Sequence, residues 1–181
     1  PNIEVVIVNA KVSNHRKTGE WCGCFPLRMV GNNEPLNRSR AANAGLEAAR
    51  GDYLIFLDDD DWFMPHHIAK LQAALDQSDT VIAAYSAIRC VNESGEEISR
   101  YEEDFDPIQL RIENFIPIHA VLFRRSAFDN GARFDETLAV CEDWDFWLQL
   151  LEQGAFKFIP EIGAIYSIQQ GKGSGVRENK M

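Results

Sequence analysis

Positive charge is scarce in this chain: 18 Lys and Arg stand against 28 Asp and Glu in 181 residues, a formal net charge of -10. That balance speaks against nucleic-acid binding, which needs basic patches to meet phosphate. An anionic substrate would have to be met by local positive charge, a metal or backbone N–H groups. Long apolar runs are also missing. None approaches the roughly 20 residues of a membrane span, and no charged-then-apolar leader opens the sequence. Cysteine is sparse: Cys22 and Cys24 form a CxC, and Cys90 and Cys141 stand alone. This is neither a disulfide framework nor convincing zinc spacing, so reduced thiols in a cytoplasmic protein are the expectation, with a zinc site as the outside alternative. Low-complexity tracts are absent. At 45% hydrophobic and 25% charged, residues 1–181 read as one globular domain large enough for a core.

What the chain does have is acid in one place. Asp58-Asp59-Asp60-Asp61 leaves the end of Tyr53-Leu54-Ile55-Phe56-Leu57, an apolar run bounded by Gly51 and Pro65 that reads as a buried strand. Four adjacent carboxylates repel one another unless a cation or hydrogen-bond donors lie within reach. A plainer account is an acidic turn that caps a helix opening at Pro65. One Asp would suffice for that cap, so an ion or ligand site is the fuller account.

Around this stretch, 3–9 reads as a β-branched strand and 25–30 as a second one ending at Gly31-Asn32-Asn33. Ser39 is expected to cap an Ala-rich helix running to Arg50, with Gly51 past its end. Gly45 within it suggests close approach of another backbone or a ligand. A helix from Pro65 to about Leu75 carries Met64, Ile68, Leu71 and Leu75 on one face. Residues 80–88 and 118–123 have strand patterns, and the acidic 92–114 stretch reads as a solvated excursion. Strands alternating with helices imply an α/β fold with a largely parallel sheet, whose ligands bind at the carboxyl ends of strands.

A second constellation begins at Cys141. Glu142, Asp145, Gln149 and Glu152 form a polar stripe on a helix closed by Gly154, opposite Trp144, Trp147, Leu148 and Leu151. Asp143 falls within the apolar arc, between Leu150 and Trp147. There burial raises a carboxyl pKa and the helix N-terminus lowers it, a balance that suits a general base. Capping is the competing role. His66 and His67 read as a hydrated helix-start pair rather than metal ligands, and His119 as either an acceptor contact or a hydrogen-bonded core histidine.

Together these residues resemble the inverting family 2 glycosyltransferases of GT-A fold. The matching pieces are the strand ending at Asn9; Asn37-Arg38-Ser39-Arg40-Ala41-Ala42-Asn43-Ala44-Gly45; the strand running into the DXD of Asp58-Asp59-Asp60; and Phe134-Asp135-Glu136 followed by Glu142-Asp143-Trp144-Asp145. The resemblance implies a GT-A (Rossmann-like) fold, a nucleotide-sugar donor and a divalent Mg or Mn ion. Asp60 would hold the metal, with Asp58 on the ion or the ribose. Asn9, Arg40, Asn43 and Asp59 would complete the nucleotide-sugar site. Asp143 would take the proton of an acceptor hydroxyl, with Glu142, Trp144 and His119 near an acceptor that is a glycan, a lipid-linked sugar or a protein. Trp144 and Trp147 could stack on a sugar, though core packing fits them better. The implied location is the cytoplasm, at most peripheral to the inner face of a membrane.

The sequence also departs from the family pattern. The first strand and helix expected before Ile3 are not seen, which suggests a truncated or processed piece. Asn9 stands where the family has an acid, Ala42 where it often has Arg, and Gln169-Gln170 where a His often follows Tyr166. The Gly-rich tail of 169–181 reads as mobile. Two alternatives remain beside transfer. One is a degenerate, non-catalytic nucleotide- or sugar-binding module. The other is a DxD phosphatase, disfavoured by Trp62 where that class has Thr or Val.

Overall fold

The computed structural model describes residues 2–11, 19–31 and 34–168, so the expected mobile tail and Gln169-Gln170 lie outside the described residues. Strand β1 (Val5–Asn9) pairs in parallel with β3 (Phe25–Gly31), which pairs antiparallel with β2 (Trp21–Cys22). Helix α1 (Arg38–Ala48) packs on this sheet, with Gly45 facing Val8, where an added Cβ would meet Val8 Cγ2 at 3.4 Å. The close approach expected at Gly45 is therefore to a strand side chain. Asn37 caps this helix in place of Ser39: its Oδ1 accepts from the Arg40 N–H at 2.8 Å. Ser39 is buried inside the first turn, its hydroxyl without a hydrogen-bond partner among the described residues. The helix also stops before Arg50, since Ala49 is already extended.

The second sheet runs from β4 (Tyr53–Ile55) to β5 (Trp62–Phe63), in the order β4, β8 (Val121–Arg124), β6 (Val81–Val91), β9 (Ala155–Ser167), β5. Strand β7 (Glu97–Tyr101) adds antiparallel to the far half of β6. Only β6 and β9 are parallel here; the other pairings are antiparallel. The sheet is thus mixed, where the helix–strand alternation suggested a largely parallel one. Strand β6 is the hub: β8 takes its first half, β7 its second, and β9 its whole other edge. Its Ala83, Ala84, Ala87 and Ile88 are buried, which suits a strand covered on both faces.

Helix α2 (His67–Asp76) covers one face through Leu71, Ala74 and Leu75 against Ala84 and Leu122. It begins two residues later than Pro65 suggests, because His66 adopts a left-handed conformation (φ 68°), and no side chain caps it. The acidic cluster is therefore not this helix's cap. The other face carries an aromatic core in which α5 (Glu142–Leu151) is anchored by Phe146 and Trp147. Phe134 stacks on Phe146 at 4.4 Å between centroids and meets Phe56 edge-on at 5.3 Å. The acidic stretch 92–114 is more than a surface excursion. It folds as β7 and a short helix α3 (Pro107–Leu110), with Leu110 fully buried. A 3-10 turn at Ile118–Ala120 takes the start of the strand expected there, so β8 begins at Val121, and α4 (Arg125–Asp129) follows it.

Candidate active site

Both acidic motifs open onto one cleft. Asp58, beyond the end of β4, and Glu142 and Asp143, the first two residues of α5, line it together with Arg38, Asn114, His119 and Tyr166. The aromatic contacts explain why the two motifs meet. Phe56 lies two residues before Asp58, Phe146 three after Asp143, and Phe134 touches both rings. Aromatic pairs of this geometry contribute roughly 0.5–1.5 kcal/mol beyond their burial.

Arg38, the first residue of α1, spans the cleft. Its Nη2 donates to Asp58 Oδ2 at 2.7 Å and its Nε to Glu142 Oε1 at 2.8 Å. Burial opposes its charge, but Asp58 first, then Glu142 and Asp143, hold the guanidinium firmly protonated. Asp143 behaves as its place in the apolar arc suggested. Burial pushes its carboxyl above the usual range, with Glu142 adding to the effect, while the Trp144 N–H (2.8 Å to Oδ1), Asn114 and Arg38 pull the other way. Burial wins, leaving a carboxylate with raised proton affinity facing the cleft.

Asp61 does not serve the helix cap that an acidic turn suggested. It is buried; its Oδ1 accepts from the Ser167 N–H of β9 at 2.8 Å, and its Oδ2 lies 3.2 Å from His119 Nδ1. Burial works against charge on both partners, moving Asp61 up to about 7 and His119 down to about 4. His67 is likewise buried rather than hydrated. Its Nε2 faces the His119 carbonyl at 3.4 Å, and burial lowers it to about 4. Gly163 explains the tight fit here, since a Cβ on it would fall 2.1 Å from His67 Nδ1.

The other expected site residues are placed elsewhere. Asp59 and Asp60 are exposed in the turn after Asp58. Arg40 pairs with Glu136 at 3.1 Å, and Asn43 is buried, exchanging hydrogen bonds of 3.0 Å with the Phe134 backbone. Asn9 ends β1, where its Oδ1 accepts from the Lys11 N–H. Trp144 turns its indole N–H to the Leu110 carbonyl at 2.6 Å, and Trp147 is wholly buried, its indole bonded to the Ile116 carbonyl. Among the described residues no three His, Cys, Asp or Glu side chains gather closely enough to enclose an ion alone. Asp58 and Asp60 suit a hard divalent cation that takes its remaining ligands from phosphate and water. Asp58 already attracts a cation, the Arg38 guanidinium.

Residues 1–132 match the family model for Glycosyl transferase family 2. The chain belongs to that family. Among its curated relatives, an uncharacterized glycosyltransferase of Haemophilus influenzae is 27% identical over 163 residues, covering 86% of this chain and 54% of the relative. The uncharacterized glycosyltransferase YwdF of Bacillus subtilis is 26% identical over 170 residues, covering 91% and 63%. The succinoglycan biosynthesis protein ExoO of Rhizobium meliloti is 30% identical over 162 residues, covering 78% and 46%. The chain thus spans about half the length of the curated relatives it matches. In three dimensions it resembles residues 1–349 of S. aureus TarS in complex with UDP-GlcNAc, with a TM-score of 0.72 and 16% identity over 94% of this chain and 51% of that TarS chain. That likeness shows the GT-A fold expected from the sequence.

Two cleft residues were given no site role by the sequence reading. Asn114 lines the cleft from a segment with no motif and Tyr166 from the end of β9, and only the tertiary fold brings them together. Arg38 lies two positions before the expected Arg40, and the helical phase set by the Asn37 cap decides which of the two arginines reaches the cleft.

Proposed function

We propose that this protein is a metal-dependent, inverting glycosyltransferase that moves a sugar from a nucleoside-diphosphate donor to an acceptor hydroxyl. The observation that carries this is the meeting of Asp58 and Asp143 in one cleft, within a chain of the family's fold. Asp58 and Asp60 would hold Mg²⁺ or Mn²⁺, which offsets charge on the departing diphosphate when bound. Asp143 takes the acceptor proton as that hydroxyl attacks the anomeric carbon from the face opposite the leaving group. Its raised proton affinity suits this role, and Asn114 and the Trp144 N–H keep its carboxylate oriented. His119, which lines the cleft and faces Asp61 at 3.2 Å, would meet the acceptor. UDP-GlcNAc is the first donor to try, since TarS binds it. Among the described residues no helix is long and apolar enough to cross a membrane.

The test separates the two halves of the site. Calorimetry with UDP-GlcNAc and Mn²⁺ should show binding that disappears in the Asp58→Ala, Asp60→Ala double variant. Asp143→Asn should keep that binding while transfer falls about 10²–10⁴-fold, the range for loss of a general base. Retained turnover in Asp143→Asn would reassign the base. No binding of any nucleoside diphosphate with metal would sink the donor site and favour a non-catalytic module.

A further inference from the structure

The chain carries ten more acidic than basic charges, and its cleft is lined by Asp58, Glu142 and Asp143. A nucleoside diphosphate entering it is repelled unless fixed positive charge is waiting. Arg38 is the only Lys or Arg lining the cleft among the described residues. It is held on both acidic motifs at once, with Asp58 at 2.7 Å and Glu142 at 2.8 Å. Its side chain remains 56% exposed, whereas that of Glu142 is only 12% exposed, so the arginine can leave without unpacking the site.

We propose that Arg38 is a donor-binding residue held in reserve: it occupies Asp58 and Glu142 in the empty protein, and metal binding at Asp58 releases it to the donor's diphosphate. The inference rests on the transferase reading above. Its logic is competition for one carboxylate. A divalent ion and a guanidinium cannot both make full contact with Asp58 Oδ2, and the ion carries the larger charge. Once displaced, the planar guanidinium offers several N–H donors in the fork geometry that matches phosphate oxygens. Glu142 keeps the arginine at the cleft while Asp58 changes partner. Metal and donor then bind with positive coupling, because the first ligand frees the residue that holds the second.

This makes two predictions of opposite sign for a single substitution. In Arg38→Gln, Mn²⁺ alone, followed by the paramagnetic resonance signal of free Mn²⁺, should bind about three- to tenfold more tightly, because its competitor is gone. UDP in saturating Mn²⁺, followed by calorimetry, should bind about tenfold more weakly, a loss typical of one charge-assisted phosphate contact. Arg38→Lys keeps the charge but not the fork, and should fall between the two. Melting followed by circular dichroism checks that each variant folds; the exposed position makes this the expected result. Unchanged or weakened Mn²⁺ affinity in Arg38→Gln overturns the release step, and unchanged UDP affinity overturns the diphosphate contact. If wild-type protein binds Mn²⁺ but no nucleoside diphosphate, the transferase reading fails first, and the Mn²⁺ comparison still shows whether Arg38 guards Asp58.

Discussion

A carboxylate in this protein takes its role from its surroundings rather than from its place in a motif. Asp58 faces the cleft and pairs with the Arg38 guanidinium, whereas Asp61, three residues on, is buried, takes the Ser167 N–H of β9 and faces His119. Asp61→Ala should therefore destabilise the fold by about 1–3 kcal/mol, the cost of stranding a buried N–H, read as a lower urea midpoint at pH 7. Asp61→Asn keeps an oxygen for Ser167 and should lose less. Helical projection places Asp143 among Leu150 and Trp147, and in the structure its half-buried carboxyl is pushed above the usual range by desolvation. Family resemblance assigned roles to Asp58, Asp59 and Asp60, but the burial of Asp61 was not legible, since a turn has no period from which burial can be read. For the same reason His67 looked hydrated at a helix start, yet Gly163 lets it pack against Ser86.

At the scale of elements, the site depends on a column of rings more than on any loop. Phe123 and Phe134 hold Phe146 from two sides, and Phe134 also meets Phe56. Removing the middle ring should loosen both acidic motifs together. Phe134→Ala is expected to cost about 3–5 kcal/mol, measured by chemical unfolding, and should weaken donor binding although the ring touches no ligand-facing residue. Helices with a clear apolar stripe, such as α5, and the strand β4 were legible from periodicity alone. The direction of the strands was not. Pairing partners in a sheet are set by long-range contacts, so β6 recruits β8 and β7 antiparallel on one edge and β9 parallel on the other. Cap identity was likewise decided by tertiary packing, which buries Ser39 and leaves Asn37 to take the Arg40 N–H and reach Glu136.

For the molecule as a whole, buried histidine sets a pH window. His67 is held near 4 by burial against about 6.5 in an unfolded chain. Its native form binds fewer protons, so its contribution is complete above pH 6.5 and is lost as pH falls towards 4, by about 3 kcal/mol in all. Asp61, raised to about 7, titrates in the opposite sense, so the informative measurement compares wild type with His67→Gln. The wild type should lose stability relative to the variant between pH 6.5 and 4, and the difference should level off below that. The chain also has four tryptophans, and three of them lie in or close to the two acidic motifs in sequence. Trp62 follows Asp61 with much of its ring exposed, Trp144 follows Asp143, and Trp147 lies one turn further along the same helix. Trp21 sits on the other sheet. Three of the four indoles thus lie within four residues of an acidic motif, so a change in intrinsic fluorescence on adding UDP and Mn²⁺ is the expected outcome, read with no dye attached.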